Sequence, residues 1–184
     1  MTSKSHKKHA QLTRPKGGLF GQHEYAFIGA PCNIIQNLCN QLATQLNTDY
    51  TIGYADASHQ NEITPSAFKT SYTDLISHHN VSFKHDNIIT HFRTLFNDCD
   101  LVLTNGNHFS AKSQIVIINE EKKVSLEKKL ERLSDVKIFI LDNGIEDIFP
   151  FLKEHITNYK DIPLLSINDV IGIGKAIKKI VDPH

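Results

Sequence analysis

Three apolar runs in this chain are each followed by residues with chemistry to offer. Tyr25-Ala26-Phe27-Ile28 leads into Gly29, Ala30, Pro31, Cys32 and Asn33. Ile52-Gly53-Tyr54-Ala55 leads into Asp56, Ser58 and His59, and Leu101-Val102-Leu103-Thr104 into Asn105, Gly106, Asn107, His108 and Lys112. A glycine turn ahead of a helix is where backbone amides hold phosphate. A carboxylate and an imidazole after one strand can share a divalent cation, a lysine can pair with phosphate, and a thiol beside a helix N-terminus can act as a nucleophile. Each residue also has a plainer reading: Asn33 as a helix N-cap, Asp56 closing an Asx turn, Asn105-Gly106 as a turn signal, Cys32 as a loop residue. Polar or turn residues after three separate strands exceed what turn propensity requires. The expected ligand-binding set is therefore Gly29, Ala30, Cys32, Asn33, Asp56, His59, Asn105, Asn107, His108 and Lys112, with no metal ligand assigned.

The same stretch lacks the residues of phosphate chemistry. If Gly29 is the first glycine of G-x-x-x-x-G-K-S/T, the second falls on Ile34, the lysine on Ile35 and the hydroxyl residue on Gln36. Pro31 contributes no amide. Without the cation and the metal ligand, the transferring phosphoryl group loses its electrostatic stabilisation, so no catalytic residue is assigned and the chain is not expected to be an efficient enzyme. Two other readings stand beside ligand binding. One is a magnesium-dependent nucleotide hydrolase or transferase using Asp56, His59 and His108 around the metal and Lys112 on phosphate. The other is an interaction module whose ligand edge has become a protein interface.

The elements that must position these residues alternate. Ile34, Leu38, Leu42 and Leu46 recur every four positions, so an amphipathic helix follows the strand Tyr25 to Ile28. A second strand over Asp49 to Ala55 completes a βαβ unit. Residues 62–80 show no period and read as an irregular loop. Val81 to His85 reads as a short strand, and Asn87 to Phe96 as a helix capped by Asp86, with Ile88, Phe92 and Leu95 on its apolar face. Leu101 to Thr104 and Ile115 to Ile118 are apolar without alternation, as strands buried on both faces are. A charged helix capped by Ser125 is expected to Leu133, then a strand over Val136 to Leu141. A helix from Ile145 to Thr157 carries Pro150 inside it, the strand Leu164 to Ile167 follows, and a helix from Asp169 to Val181 closes the sequence. The expected fold is α/β, a mostly parallel sheet with helices on both faces in three layers, like a phosphate-loop NTPase.

Bulk properties narrow the function classes. The length of 184 residues suits one domain able to bury roughly 70% of its unfolded surface. Residues 1–18 hold five basic and no acidic residues and read as a mobile basic arm before a single domain over 19–184. Twenty basic residues balance twenty acidic ones, so no global field recruits nucleic acid or an anionic membrane. No long apolar run or signal-like N-terminus is present, and a cytoplasmic location is expected. Cys32, Cys39 and Cys99 read as free thiols, and the eleven histidines show no zinc spacing.

On these residues the chain resembles the MobB family, accessory proteins of molybdopterin-guanine dinucleotide biosynthesis, and above all the degenerate MobB-like domain found in front of a MobA-type guanylyltransferase domain. The resemblance covers about Tyr25 to Ile118. Ile28 to Gln36 sits where the family has its phosphate loop, Ile52 to His59 resembles its second strand and polar end, and Asp100 to Phe109 with Lys112 resembles its aspartate-led strand. Ile34, Ile35 and Gln36 replace the glycine, lysine and threonine, and Asn105 the glutamate. The resemblance implies GTP with magnesium, or molybdopterin, as ligand and a MobA-type guanylyltransferase domain as partner, in cis or in trans. A homodimer is left open.

Overall fold

In a computed structural model of the protein, residues 18–21, 23–58, 70–75 and 88–182 are described. Seven strands form one sheet: β1 (His23–Ile28), β2 (Ile52–Ser58), β3 (Thr70–Leu75), β4 (Leu101–Asn105), β5 (Ser113–Ile118), β6 (Val136–Leu141) and β7 (Leu164–Ser166), in the order β3-β2-β4-β1-β5-β6-β7. Every pairing is parallel. The expected α/β class is thus observed, with β1 between β4 and β5 at the centre. The helices are α1 (Cys32–Leu46), α2 (Ile88–Leu95), α3 (Lys123–Glu127), α4 (Pro150–His155) and α5 (Val170–Val181).

Alternation along the strands divides the core. Tyr25 and Phe27 of β1, Leu101 and Leu103 of β4, and Ile115 and Ile117 of β5 face α1 and α5, which bring Ile35, Leu38, Leu42, Ile173 and Ile177. Val116, Ile118 and Phe139 face the other way, against Leu126 of α3 and Leu152 of α4. Phe20, Phe92, Phe96 and Val102 form a third cluster under α2. Helices on both faces make three layers. No helix among the described residues is long and apolar enough to cross a membrane.

Several boundaries differ from the expectation, each for a local reason. Residues 62–80 are not wholly irregular, because β3 pairs with β2 at the sheet edge. An edge strand bonds on one side only and tolerates a polar, aperiodic sequence. Phe92 of α2 and Phe96 just after it are buried, and Leu95 is exposed. The single helix expected from Ser125 to Leu133 is instead a 3-10 turn over Glu120–Lys122, then the short α3, then a second 3-10 turn over Leu130–Arg132; the cap is Asn119, whose side chain accepts the Lys122 N–H. Pro150 does not sit inside a helix. It opens α4 at its first position, where a missing N–H costs nothing and the fixed φ already suits a helix. The arm before residue 18, the strand expected over Val81 to His85 and the Asp86 cap lie outside the described residues.

At the lower end of the sheet the buried Glu24 gathers the chain. Its carboxylate accepts the N–H groups of Leu19, Phe20 and Gly21 at 3.0, 2.6 and 3.2 Å, and that of Lys112 at 2.6 Å. These charge-assisted bonds tie the segment before β1 and the segment before β5 to one side chain. Glu24→Ala is expected to lower unfolding stability by about 3 kcal/mol, read from urea midpoints at constant m-value. A loss of less than about 0.5 kcal/mol, the range of ordinary surface substitutions, would contradict this role.

Candidate functional site

Gly29 shapes the loop at the upper end of β1. It has φ +100°, and a Cβ there would lie 2.3 Å from the Ile117 carbonyl oxygen. Only glycine fits. The chain enters α1 at Cys32, so Ile34, at the place of a phosphate loop's second glycine, is already helical, and Ile35, in the lysine's place, is fully buried against the sheet. Pro31, not Asn33, is the N-cap, and Asn33 is the second residue of the helix. The amides of Ile34 and Ile35 both donate to the Pro31 carbonyl at 3.1 Å. Those of Cys32 and Asn33 are left facing outward as a helix start leaves them, and the first turn holds no acidic residue to offset its partial positive charge.

The end of β4 closes over this loop. The Gly106 N–H donates to the Phe27 carbonyl at 2.7 Å. Asn105, level with Phe27 and fully buried, accepts the Asn107 N–H on Oδ1 at 3.1 Å, while its Nδ2 has no hydrogen-bond partner. Asn107 Nδ2 donates to the Ala30 carbonyl at 3.0 Å and lies 3.7 Å from Cys32 Sγ. His108 Nε2 lies 3.4 Å from the same sulfur. Gly29, Ala30, Cys32, Asn33, Asn105, Asn107 and His108 therefore lie together at this end of the sheet.

Three residues of the expected set stand differently. Asp56 reaches the same level through β2, but it is buried, with Oδ2 accepting the Tyr54 hydroxyl at 2.6 Å and Oδ1 the Ala57 N–H at 2.7 Å. Lys112 precedes β5, whose Ser113 pairs with Tyr25, so it lies roughly 10 Å down the sheet from Asn105 at about 3.3 Å per residue. There it belongs to the Glu24 end. His59 lies outside the described residues. Asn105 is a neutral amide and both oxygens of Asp56 accept hydrogen bonds within the protein; among the described residues, which do not include His59, no group of three His, Cys, Asp or Glu is arranged to hold a metal ion.

Cations arrive from the segment expected as a charged helix between Ser125 and Leu133. Arg132 Nη1 reaches the Gly106 carbonyl at 3.5 Å. Lys129 is half-buried, and its ammonium is pushed below the usual range by desolvation first and then by Arg132 and Lys122, while Cys32 and Glu131 act in the opposite direction. Basic residues pressed together beside a helix N-terminus are arranged for negative charge. On the other flank a groove of about 470 Å³ runs along α1, lined by Asn33, Ile34, Asn37, Leu38 and Gln41 of the helix and by Asp142, Asn143, Ile167, Asn168 and Val170 from the segments after β6 and β7. Asn143 Oδ1 accepts from Asn168 Nδ2 at 2.7 Å, which leaves a donor on one amide and an acceptor on the other. The spacing of Asn33, Asn37 and Gln41 was visible in the sequence as one polar helix stripe. Their partners were not.

Fold and site together define a three-layer α/β domain with an anion-favouring strand–turn–helix at the centre of a parallel sheet. No protein-family model and no curated protein sequence matches the chain. Among solved structures it is similar in outline to the hydrogenase maturation factor HypB from Archaeoglobus fulgidus, at 16% identity and a TM-score of 0.44 over 89% of this chain and 78% of that one. The fold assignment rests on the strand order and layers described above.

Two outcomes follow from the geometry. Gly29→Ala is expected to cost roughly 2–4 kcal/mol, from left-handed strain plus the contact with the Ile117 carbonyl, read by urea unfolding; a neutral substitution would mean the turn relaxes freely. The second concerns alkaline pH. Tyr25 is pushed up to about 12 by burial, then by Asp135 and Tyr50. The Tyr54 hydroxyl is driven higher still by burial, then by Cys39 and Asp56. Because the folded values exceed the unfolded value near 10, these groups contribute stability fully below that pH and lose it as pH rises toward 12. The melting temperature should fall across this window, and less steeply in Tyr25→Phe.

Proposed function

We propose that this chain binds, without hydrolysing it, a small ligand that joins a phosphate group to a planar heterocycle, a nucleotide or a pterin phosphate. The observation that carries the reading is the meeting of the outward amides at the start of α1 with Lys129 and Arg132, beside a groove lined by side-chain amides and apolar residues. The amides and cations suit phosphate, and the groove suits the ring. The lysine of a phosphate loop is absent from α1, and cations from the segment after β5 stand in for its charge without its position at the transferring phosphoryl group. Binding is thereby separated from turnover.

The finer reading is that of a degenerate MobB-like domain that serves molybdenum cofactor maturation beside a MobA-type guanylyltransferase domain. Its support is the likeness of Ile28 to Gln36, Ile52 to His59 and Asp100 to Phe109 to the family's segments. Isothermal titration with GTP and with molybdopterin should show saturable binding to at least one. Lys129→Ala with Arg132→Ala should weaken it by about tenfold or more, the loss of one to two charge-assisted contacts. Absence of binding to both ligands, or unchanged affinity in the double variant, would overturn the ligand site. Failure to capture a MobA-type domain in a pull-down would overturn the partner.

A further inference from the structure

Cys32 is the one exposed thiol of the chain, Cys39 and Cys99 being buried. Features of three separate elements converge on its sulfur. His108 Nε2, from the turn after β4, is 3.4 Å away, and Asn107 Nδ2 from the same turn is 3.7 Å away. The residue itself is the first of the fifteen-residue α1, at the positive end of the helix dipole, and Lys129 is near enough for its ammonium to be favoured by charge on this sulfur. An imidazole to take the proton, an N–H and a helix terminus to hold the negative sulfur, and solvent access are what a nucleophilic cysteine requires. Beneath them the fully buried Asn105 presents Nδ2 without an acceptor, on the side chain whose Oδ1 fixes Asn107. A buried amide left unpaired is costly to the fold.

We infer that Cys32 and His108 form a thiol–imidazole pair that undergoes exchange with low-molecular-weight disulfides, making Cys32 a site of reversible thiolation at the mouth of the ligand site. In the step, the Cys32 S–H proton passes to His108 Nε2, and the thiolate attacks one sulfur of the disulfide. A new S–S bond to Cys32 forms as the original S–S bond breaks, and the departing thiolate takes the proton from the imidazolium. The incoming disulfide is the oxidant and is reduced to one thiol, so no other reactant enters. The adduct sits on the first residue of α1, where the outward amides are, and therefore covers the proposed anion seat.

The exchange is tested on the full chain with oxidised glutathione, followed by intact mass and peptide mapping. This readout is independent of whether any nucleotide or pterin binds. A single adduct on Cys32 is expected, formed at least about tenfold faster than on a cysteine in an unstructured peptide of matched charge. His108→Gln should remove most of that advantage while Cys39 and Cys99 stay unmodified, which also reports that the variant is folded. Reaction of Cys32 at the peptide rate, or an undiminished rate in His108→Gln with the buried thiols still protected, would overturn the assignment.

Discussion

The approach of Gly29 to the Ile117 carbonyl is the constraint on which the site depends. With a Cβ excluded at 2.3 Å and φ at +100°, the chain leaves β1 and turns into α1 within a few residues. That turn sets the start of α1 beside the ends of β4 and β5 and drives Ile35 into the core instead of offering it to a ligand. A longer loop would have room to wrap a phosphate chain. Here the backbone presents a helix terminus and little more, so any positive charge beside it has to come from elsewhere in the fold.

The parallel sheet supplies it. Because all strands run the same way, the segments after β4, β5, β6 and β7 open on the edge where α1 begins. The turn at Gly106 to His108 brings amide and imidazole groups, the segment after β5 brings Lys129 and Arg132, and the ends of β6 and β7 bring the Asn143–Asn168 pair. The opposite edge is organised by a different device. Glu24 binds four backbone amides there, so Lys112 is part of the anchoring of the sheet and not of the ligand edge.

Buried polar groups distinguish architecture from chemistry in this molecule. Asp56 stands where a second strand could offer a metal ligand, yet both its oxygens are occupied by Tyr54 and Ala57. Asn105 stands at the same level with half of its amide satisfied and half not. Satisfied groups of this kind rigidify a core, whereas an unpaired donor is retained at a cost to stability. The contrast sets the end of β4, beside β1 and α1, apart from the end of β2.

Much of this was legible in the residues alone. The apolar runs located β1, β4, β5 and β6 to within about two residues, because strands buried on both faces need continuous apolar sequence whatever their neighbours are, whereas β2 runs three residues later than the expected Asp49 to Ala55 and β7 is an exposed edge strand. The glycine turn, the loss of the phosphate-loop lysine and hydroxyl, and the gathering of Gly29 to Asn33 with Asn105 to His108 were likewise determined by local chemistry and the rule for parallel sheets. What the sequence did not contain was any relation between elements far apart in the chain. Cys32 meets His108 across seventy-six positions, and the basic segment around Lys129 reads as an ordinary solvated face until β5 and β6 place it beside α1. Strand register likewise decided the fate of Lys112, which a count along the chain put at the site and the pairing of Ser113 with Tyr25 put below it. Local periodicity encodes which residues are buried; only the packed sheet decides which exposed residues share a neighbourhood, because that depends on pairings no single segment specifies.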